Sequence, residues 1–338
     1  MRAFLVAIGL LAGGLLAGGL LAGPALAANQ KDISDCDQGD HPDLRIAGCT
    51  RLINARDVSI RSIASAYNKR GIAWKSKGEF DKAIADYGQA IKADPKLSDP
   101  WHNRAQLFLS RKEYDKAIAD YTGAIKLDPG YAPSFRGRAD CWDYKKQHDK
   151  AITDYNQAIR LDPSEPYGFS GRADAFASKG DHDRAIADYS EAIRLDPRFT
   201  TAYNARGNSY ESKGDHDRAI ADFNVALRLD PKYVTALINR GDSLSNKKDY
   251  DRAIADYDVA IRLESSNVGA IRSRGDAWYN KKEYDNAIAD YDAAIRLDRD
   301  HAGTFKSRGD AWNEKKEYDR AIADFDAAIR LDPGSGSY

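Results

Sequence analysis

The tetrapeptide D-x-A-I returns every 34 residues, and no other feature constrains this chain as much. Its alanine stands at Ala83, Ala117, Ala151, Ala185, Ala219, Ala253, Ala287 and Ala321, with no insertion or deletion between them. A fixed period of this size points to stacked supersecondary units, each leaning on its neighbours, and away from one globular core. With Ala64 as position 1, the eight units are 64–97, 98–131, 132–165, 166–199, 200–233, 234–267, 268–301 and 302–335.

Each unit carries two apolar stripes at helical spacing. Large residues occupy positions 4 and 11, such as Tyr67 and Trp74 or Phe305 and Trp312, with Gly or Ala between them at position 8. Seven residues apart, both fall on one helix face, and the small residue marks where a second helix comes close. In the second half of the unit, positions 20 and 27 are always alanine and position 24 is always Tyr or Phe. Proline at position 32 ends that segment in six units, Ser265 and Arg299 being the exceptions. Aspartate at position 18, Asp81 to Asp319, is expected to cap the second helix or to favour its positive end. The unit therefore reads as two antiparallel helices, neither able to bury its stripe alone.

The 34-residue period, the bulky–small–bulky first half, the Ala–aromatic–Ala second half and the closing proline resemble the tetratricopeptide repeat family, over Ala64 to Ser335. The resemblance implies an all-α fold, a right-handed superhelical solenoid of stacked antiparallel helix pairs. It also implies a non-catalytic protein–protein interaction scaffold that holds a partner peptide or helix in its concave groove. One departure is uniform. Position 7, commonly apolar in the family, is arginine in all eight units, Arg70 to Arg308, and position 23 is aspartate in all eight, Asp86 to Asp324. These read as a structural ladder in which the guanidinium of one helix meets the carboxylate of the other.

The ends differ from the middle. Residues 1–27 combine an early cation (Arg2), an apolar run and a small-x-small site, as an export signal does. Cleavage after Ala27 would leave the protein periplasmic or secreted; a retained, anchoring segment is the alternative. Residues 28–63 form a cysteine-containing capping segment, in which Asp43–Asp57 imitates a second helix as a half-unit slipped by four residues. Export permits disulfides, and Cys36 and Cys49 are the natural pair, with reduced thiols throughout as the alternative. Cys36 is expected in a loop before the half-unit, and Cys141 reads as a small buried thiol. Residues 336–338 are a tail. The stripe of Phe325, Ala328 and Ile329 in the last repeat has no following helix in the repeat count, which makes self-association through this end the second reading of function.

Charge and motifs argue against several classes. Charged residues make up 30% of the chain, yet the net charge is −1, so no basic excess points to nucleic acid and no membrane contact is expected beyond the signal segment. No phosphate-binding, zinc-protease, hydrolase-nucleophile or calcium motif occurs, and no cofactor or enzymatic activity is expected. His148, His182 and His216 recur one per unit at position 17, a ladder that does not converge on one metal ion. The resemblance places partner contacts on first-helix positions. Positions 5 and 9 supply Arg136, Asp140, Asp174, Asn204, Asn208, Asp242, Arg272 and Asp276 as candidates. Arg136–Asp140, Arg272–Asp276 and Lys306–Asp310 are spaced to pair within their own helices, whereas Asp174 and Asp242 lack such a partner. The acidic run at position 9 favours a cationic or neutral ligand.

Overall fold

The computed structural model describes residues 22–334, so most of the expected export signal and the 336–338 tail lie outside the described residues. Among the described residues there are 18 helices and no strand. A cap of α1 (Ala22–Asp37) and α2 (Pro42–Asn54) precedes eight helix pairs. These are α3 (Ile60–Ser76) with α4 (Phe80–Ala93), α5 (Ser98–Ser110) with α6 (Tyr114–Leu127), α7 (Ala132–Tyr144) with α8 (His148–Leu161), and α9 (Pro166–Ser178) with α10 (His182–Leu195). Then follow α11 (Thr200–Ser212) with α12 (His216–Leu229), α13 (Val234–Asn246) with α14 (Tyr250–Leu263), α15 (Val268–Asn280) with α16 (Tyr284–Leu297), and α17 (Ala302–Glu314) with α18 (Tyr318–Leu331). The fold is an all-α repeat solenoid. It resolves into two compact units, up to Gly137 and from Arg138 onward, and within each the helices pack on their neighbours in sequence.

The small and large positions interlock as their spacing implies. Position 20 alanines are 0–2% exposed, and position 24 rings from Tyr87 to Tyr291 are 0–2% exposed. The ring needs the small residue opposite. A Cβ on Gly71 would lie 2.6 Å from the Tyr87 ring, and one on Gly241 would lie 2.6 Å from Tyr257. Burying one such ring stabilises by roughly 2 kcal/mol, more than the roughly 1 kcal/mol that a helical glycine costs.

The turn between paired helices has one conformation throughout. Position 15 adopts positive φ in all eight repeats, as Gly78, Gly180 and Gly214 but also as Lys112, Lys146, Lys248, Lys282 and Lys316. The following amide closes the turn on the carbonyl of position 11, as Glu79 N–H does on Trp74 at 2.9 Å. Second helices end at position 30 even where proline is missing, at Leu263 and Leu297. The next residue, Glu264 or Asp298, bends the chain into extended or non-helical backbone, and the Asp298 side chain accepts from the Asp300 amide.

Two expectations are corrected. The cap is a complete helix pair, because α1 precedes the slipped half-unit, and Cys36 lies in α1 rather than in a loop. Its disulfide to Cys49 joins two helices whose Cα atoms approach to 4.6 Å, and Gly48 leaves the space for that approach. The first helix of repeat 64–97 starts four residues before the repeat, at Ile60, since Ser59 caps it by accepting from the Ser62 amide at 3.1 Å and no proline punctuates the junction. Position 18 is not the cap, but it does stand in the first turn at the positive end of the second helix, as Asp81 does in α4. Capping falls to position 16, where Asp181 and Asp215 accept from the amides of Arg184 and Arg218. Position 18 aspartates instead meet the cation at position 14 of the next repeat, as Asp81 meets Arg111 at 2.7 Å and Asp183 meets Lys213.

Candidate functional site

The arginine–aspartate ladder forms the frame behind the first-helix face. Arg70, Arg104, Arg138, Arg172, Arg206, Arg240, Arg274 and Arg308 each donate through Nε and Nη2 to both oxygens of the aspartate sixteen residues on, at 2.5–2.9 Å. This fork-to-fork geometry fixes the angle between paired helices. The remaining nitrogen reaches position 25 of the preceding repeat, to Ser190 from Arg206 at 2.9 Å, to Asn224 from Arg240 at 2.7 Å and to Asp258 from Arg274 at 2.5 Å. Arg70 makes the same bond to Thr50 of the cap, at the four-residue slip noted in the sequence. From Arg172 onward the ladder therefore also joins consecutive repeats through the polar residues at position 25, whereas Gly88 offers Arg104 no side-chain acceptor.

On this frame four of the five position 9 carboxylates are held by a neighbour that sequence reasoning missed. The phenols of Tyr155, Tyr189, Tyr257 and Tyr291 donate to Asp140, Asp174, Asp242 and Asp276 at 2.5–2.7 Å, each within its own repeat. Asp174 and Asp242 are thus partnered. A partial signal was present in the sequence, since tyrosine at 24 accompanies aspartate at 9 in these four repeats and Phe223 accompanies Asn208 in the fifth, although the last repeat sets Phe325 with Asp310, which pairs with Lys306 instead. In the first repeat Ile72 stands at position 9, and the Tyr87 hydroxyl is buried with no partner.

The carboxylates sense one another. Although Asp174 as a residue is exposed, protein crowds its carboxyl group; that desolvation, with the charges of Asp143 and Asp140, raises its pKa to about 6 against the pull of the Tyr189 bond. Desolvation likewise raises Asp242, helped by Glu211 and Asp276, and raises Asp276. Within the unit from Arg138 onward, the carboxyl groups thus act in two clusters, Asp174 with Asp140 and Asp143, and Asp242 with Glu211 and Asp276.

The other candidates are placed differently. Asn204 is 6% exposed, and its oxygen accepts from Asn239 of the next repeat at 3.0 Å, so it is a structural link and not a free amide. Asn208 is exposed. Arg272 lies 3.2 Å from His301 and reaches Asp276 only through its charge, while Lys306 and Asp310 do pair, at 3.3 Å. Arg136 belongs to the first unit, where it and Lys75 lower the pKa of His102 to about 4, after burial, the largest cause. That unit has a different character. Its first-helix face carries Lys75, Gln106 and a buried His102 joined in a chain, Lys75 to Gln106 at 2.7 Å, Gln106 to His102 at 2.9 Å and His102 to Ser134 at 3.0 Å.

Family models for the tetratricopeptide repeat match residues 170–234, 238–302 and 300–336, and also 64–97 and 98–131, with a further repeat model on 144–180. The chain belongs to the tetratricopeptide repeat family. Solved structures carry the same fold. The C-terminal part of a repeat protein from Cytophaga hutchinsonii has a TM-score of 0.58 at 16% identity, over 69% of this chain and 95% of that one. A tetratricopeptide repeat protein from Parabacteroides merdae has 0.55 at 18%, over 75% and 98%. A chain of the APC/C hetero-tetramer Cut9–Hcn1 has 0.56 at 19%, over 92% and 61%. No curated protein sequence matches the chain.

Several residues of this tetratricopeptide repeat protein serve the scaffold. His148 and His216 sit 2.7 and 3.0 Å from the position 12 carboxylates of Asp143 and Glu211. Ala177 stands at position 12 in repeat 4, and His182 Nδ1 is left without a partner. Cys141 is fully buried, and burial pushes its thiol up to about 12, which makes it a packing residue. At the last repeat the expected stripe is only partly open. Ile329 is 46% exposed and Phe325 half-buried, but Ala328 is fully buried against its own repeat and leaves that surface, while Ile322 joins it at 57%.

Proposed function

We propose that this protein is a non-catalytic interaction scaffold that holds a basic peptide or helix of a partner protein on the first-helix face of the unit from Arg138 onward. The observation that carries the reading is the row of tyrosine-held carboxylates, Asp140, Asp174, Asp242 and Asp276. Each phenol occupies one carboxylate oxygen and fixes its direction, and fixed negative groups at repeat spacing favour a cationic partner over an anionic one. Membership of the tetratricopeptide repeat family supports the role of scaffold. The Cys36–Cys49 disulfide supports a location outside the reducing cytosol, and the apolar run of residues 4–23 supports export.

Fluorescence anisotropy with a labelled arginine-rich peptide tests the proposal. Saturable binding is expected, weakened at least tenfold when salt rises from about 50 to 200 mM and equally in the Asp174→Asn/Asp242→Asn/Asp276→Asn variant. Asparagine still accepts the phenol bond, so the fold is kept. Equal binding of a glutamate-rich peptide, or an unaffected triple variant, would refute the site.

Self-association is the second reading, favoured by the exposure of Ile322 and Ile329 on α18. Sedimentation equilibrium showing a dimer that Ile322→Glu/Ile329→Glu dissociates would establish it, and a monomer at high concentration would end it.

A further inference from the structure

Position 4 is aromatic in six repeats, and at five arginines of the ladder the ring lies beneath the guanidinium. The guanidinium carbons of Arg70, Arg104, Arg172, Arg206 and Arg308 stand 5.3–5.7 Å from the ring centres of Tyr67, Trp101, Phe169, Tyr203 and Phe305. Repeats 6 and 7 break the pattern with Leu237 and Ile271. In repeat 7 the arginine is compensated by two carboxylates instead, Asp290 at 2.6 Å and Asp258 at 2.5 Å. In repeat 6 Arg240 has one carboxylate, Asp256, and a neutral amide, Asn224. The missing ring is not replaced there. An open groove of about 530 Å³ lies at that spot, lined by Leu227, Pro231, Leu237 and Val259 with Arg240 on its wall.

We propose that this groove between repeats 5 and 6 is a docking site for an aromatic side chain of a partner protein, which stacks on Arg240 as the position 4 rings do elsewhere in the same chain. The chemistry is specific to a ring. An aliphatic group would fill the apolar walls, but only a π face answers a guanidinium that lacks a second carboxylate. None of the lining residues belongs to the position 9 row, so the site is separate from the carboxylate face and can be occupied independently of it.

The test is an NMR titration of the full chain, following the Arg240 Nε–Hε resonance. N-acetyl-tryptophanamide is the probe and N-acetyl-leucinamide the control. The expected result is a saturable upfield shift with the indole and little with the leucine amide. Leu237→Phe supplies the absent ring from within, so it should lose the shift, bind the indole at least tenfold more weakly and melt at a higher temperature than wild type. Equal shifts with both amides would reduce the groove to a generic apolar patch and overturn the proposal. So would no shift in wild type, or an unchanged shift in Leu237→Phe. A Leu237→Phe chain that fails to fold is covered by Arg240→Lys, which keeps the charge but loses the planar stack; followed in wild type and variant on the methyl resonances of Leu227 and Val259, it should lose the preference for the indole, and an unchanged preference would overturn the proposal.

Discussion

Arg206 donates to both carboxylate oxygens of Asp222 at 2.7 Å and to the Ser190 hydroxyl of the preceding repeat at 2.9 Å, so one side chain fixes a helix pair and its junction at once. Both partners are largely buried, with side-chain exposures of 18% and 8%. Removing one leaves the other charge uncompensated, at a cost of about 3 kcal/mol. Arg206→Met and Asp222→Leu should each destabilise by that order, and the double variant by clearly less than the sum. Denaturant melts of the four proteins check this, and additive costs would contradict the pairing.

Tyr87 and Tyr257 occupy the same position with opposite consequences. Tyr257 donates to Asp242, whereas the Tyr87 hydroxyl is buried without a partner. Tyr87→Phe should therefore stabilise by about 1 kcal/mol, because it removes an unsatisfied group. Tyr257→Phe should destabilise by about 1 kcal/mol and raise the pKa of Asp242 further. Urea melts of both variants give the sign directly.

Five repeats place a lysine where the backbone demands positive φ. An L-residue pays a steric cost there that glycine escapes. Lys248→Gly and Lys282→Gly should each stabilise by about 0.5–1 kcal/mol, and Gly214→Ala should cost a similar amount. The thermal midpoints of the three variants check the prediction.

Much of this was legible in the residues, and the rest was hidden for a physical reason. The helix pairs, the interlocking of positions 8 and 24 and the Arg–Asp ladder follow from helical spacing, which sequence displays. Bonds between repeats do not follow from spacing inside one helix. The reach of Arg206 to Ser190, of Lys213 to Asp183 and of Asn239 to Asn204 depends on how one pair sits on the next. For that reason Asn204 stood among the candidate partner contacts although its side chain links two repeats. The tyrosine-held carboxylates were visible only as a correlation between positions 9 and 24 within the chain. Cap helix α1 went unrecognised because it follows none of the repeat's residue pattern.

The proposed function rests on carboxylates of successive repeats acting together, and the titration of Asp174 tests that most directly. Its folded pKa stands above its unfolded one, so folding is favoured below the unfolded value and that contribution fades as pH climbs to about 6. Carboxyl carbon shifts of Asp174, followed by NMR from pH 3 to 8, should give a midpoint of about 6 that falls toward the ordinary aspartate range in Asp140→Asn/Asp143→Asn. A midpoint near 4 in the wild type, or one indifferent to those two substitutions, would contradict the account.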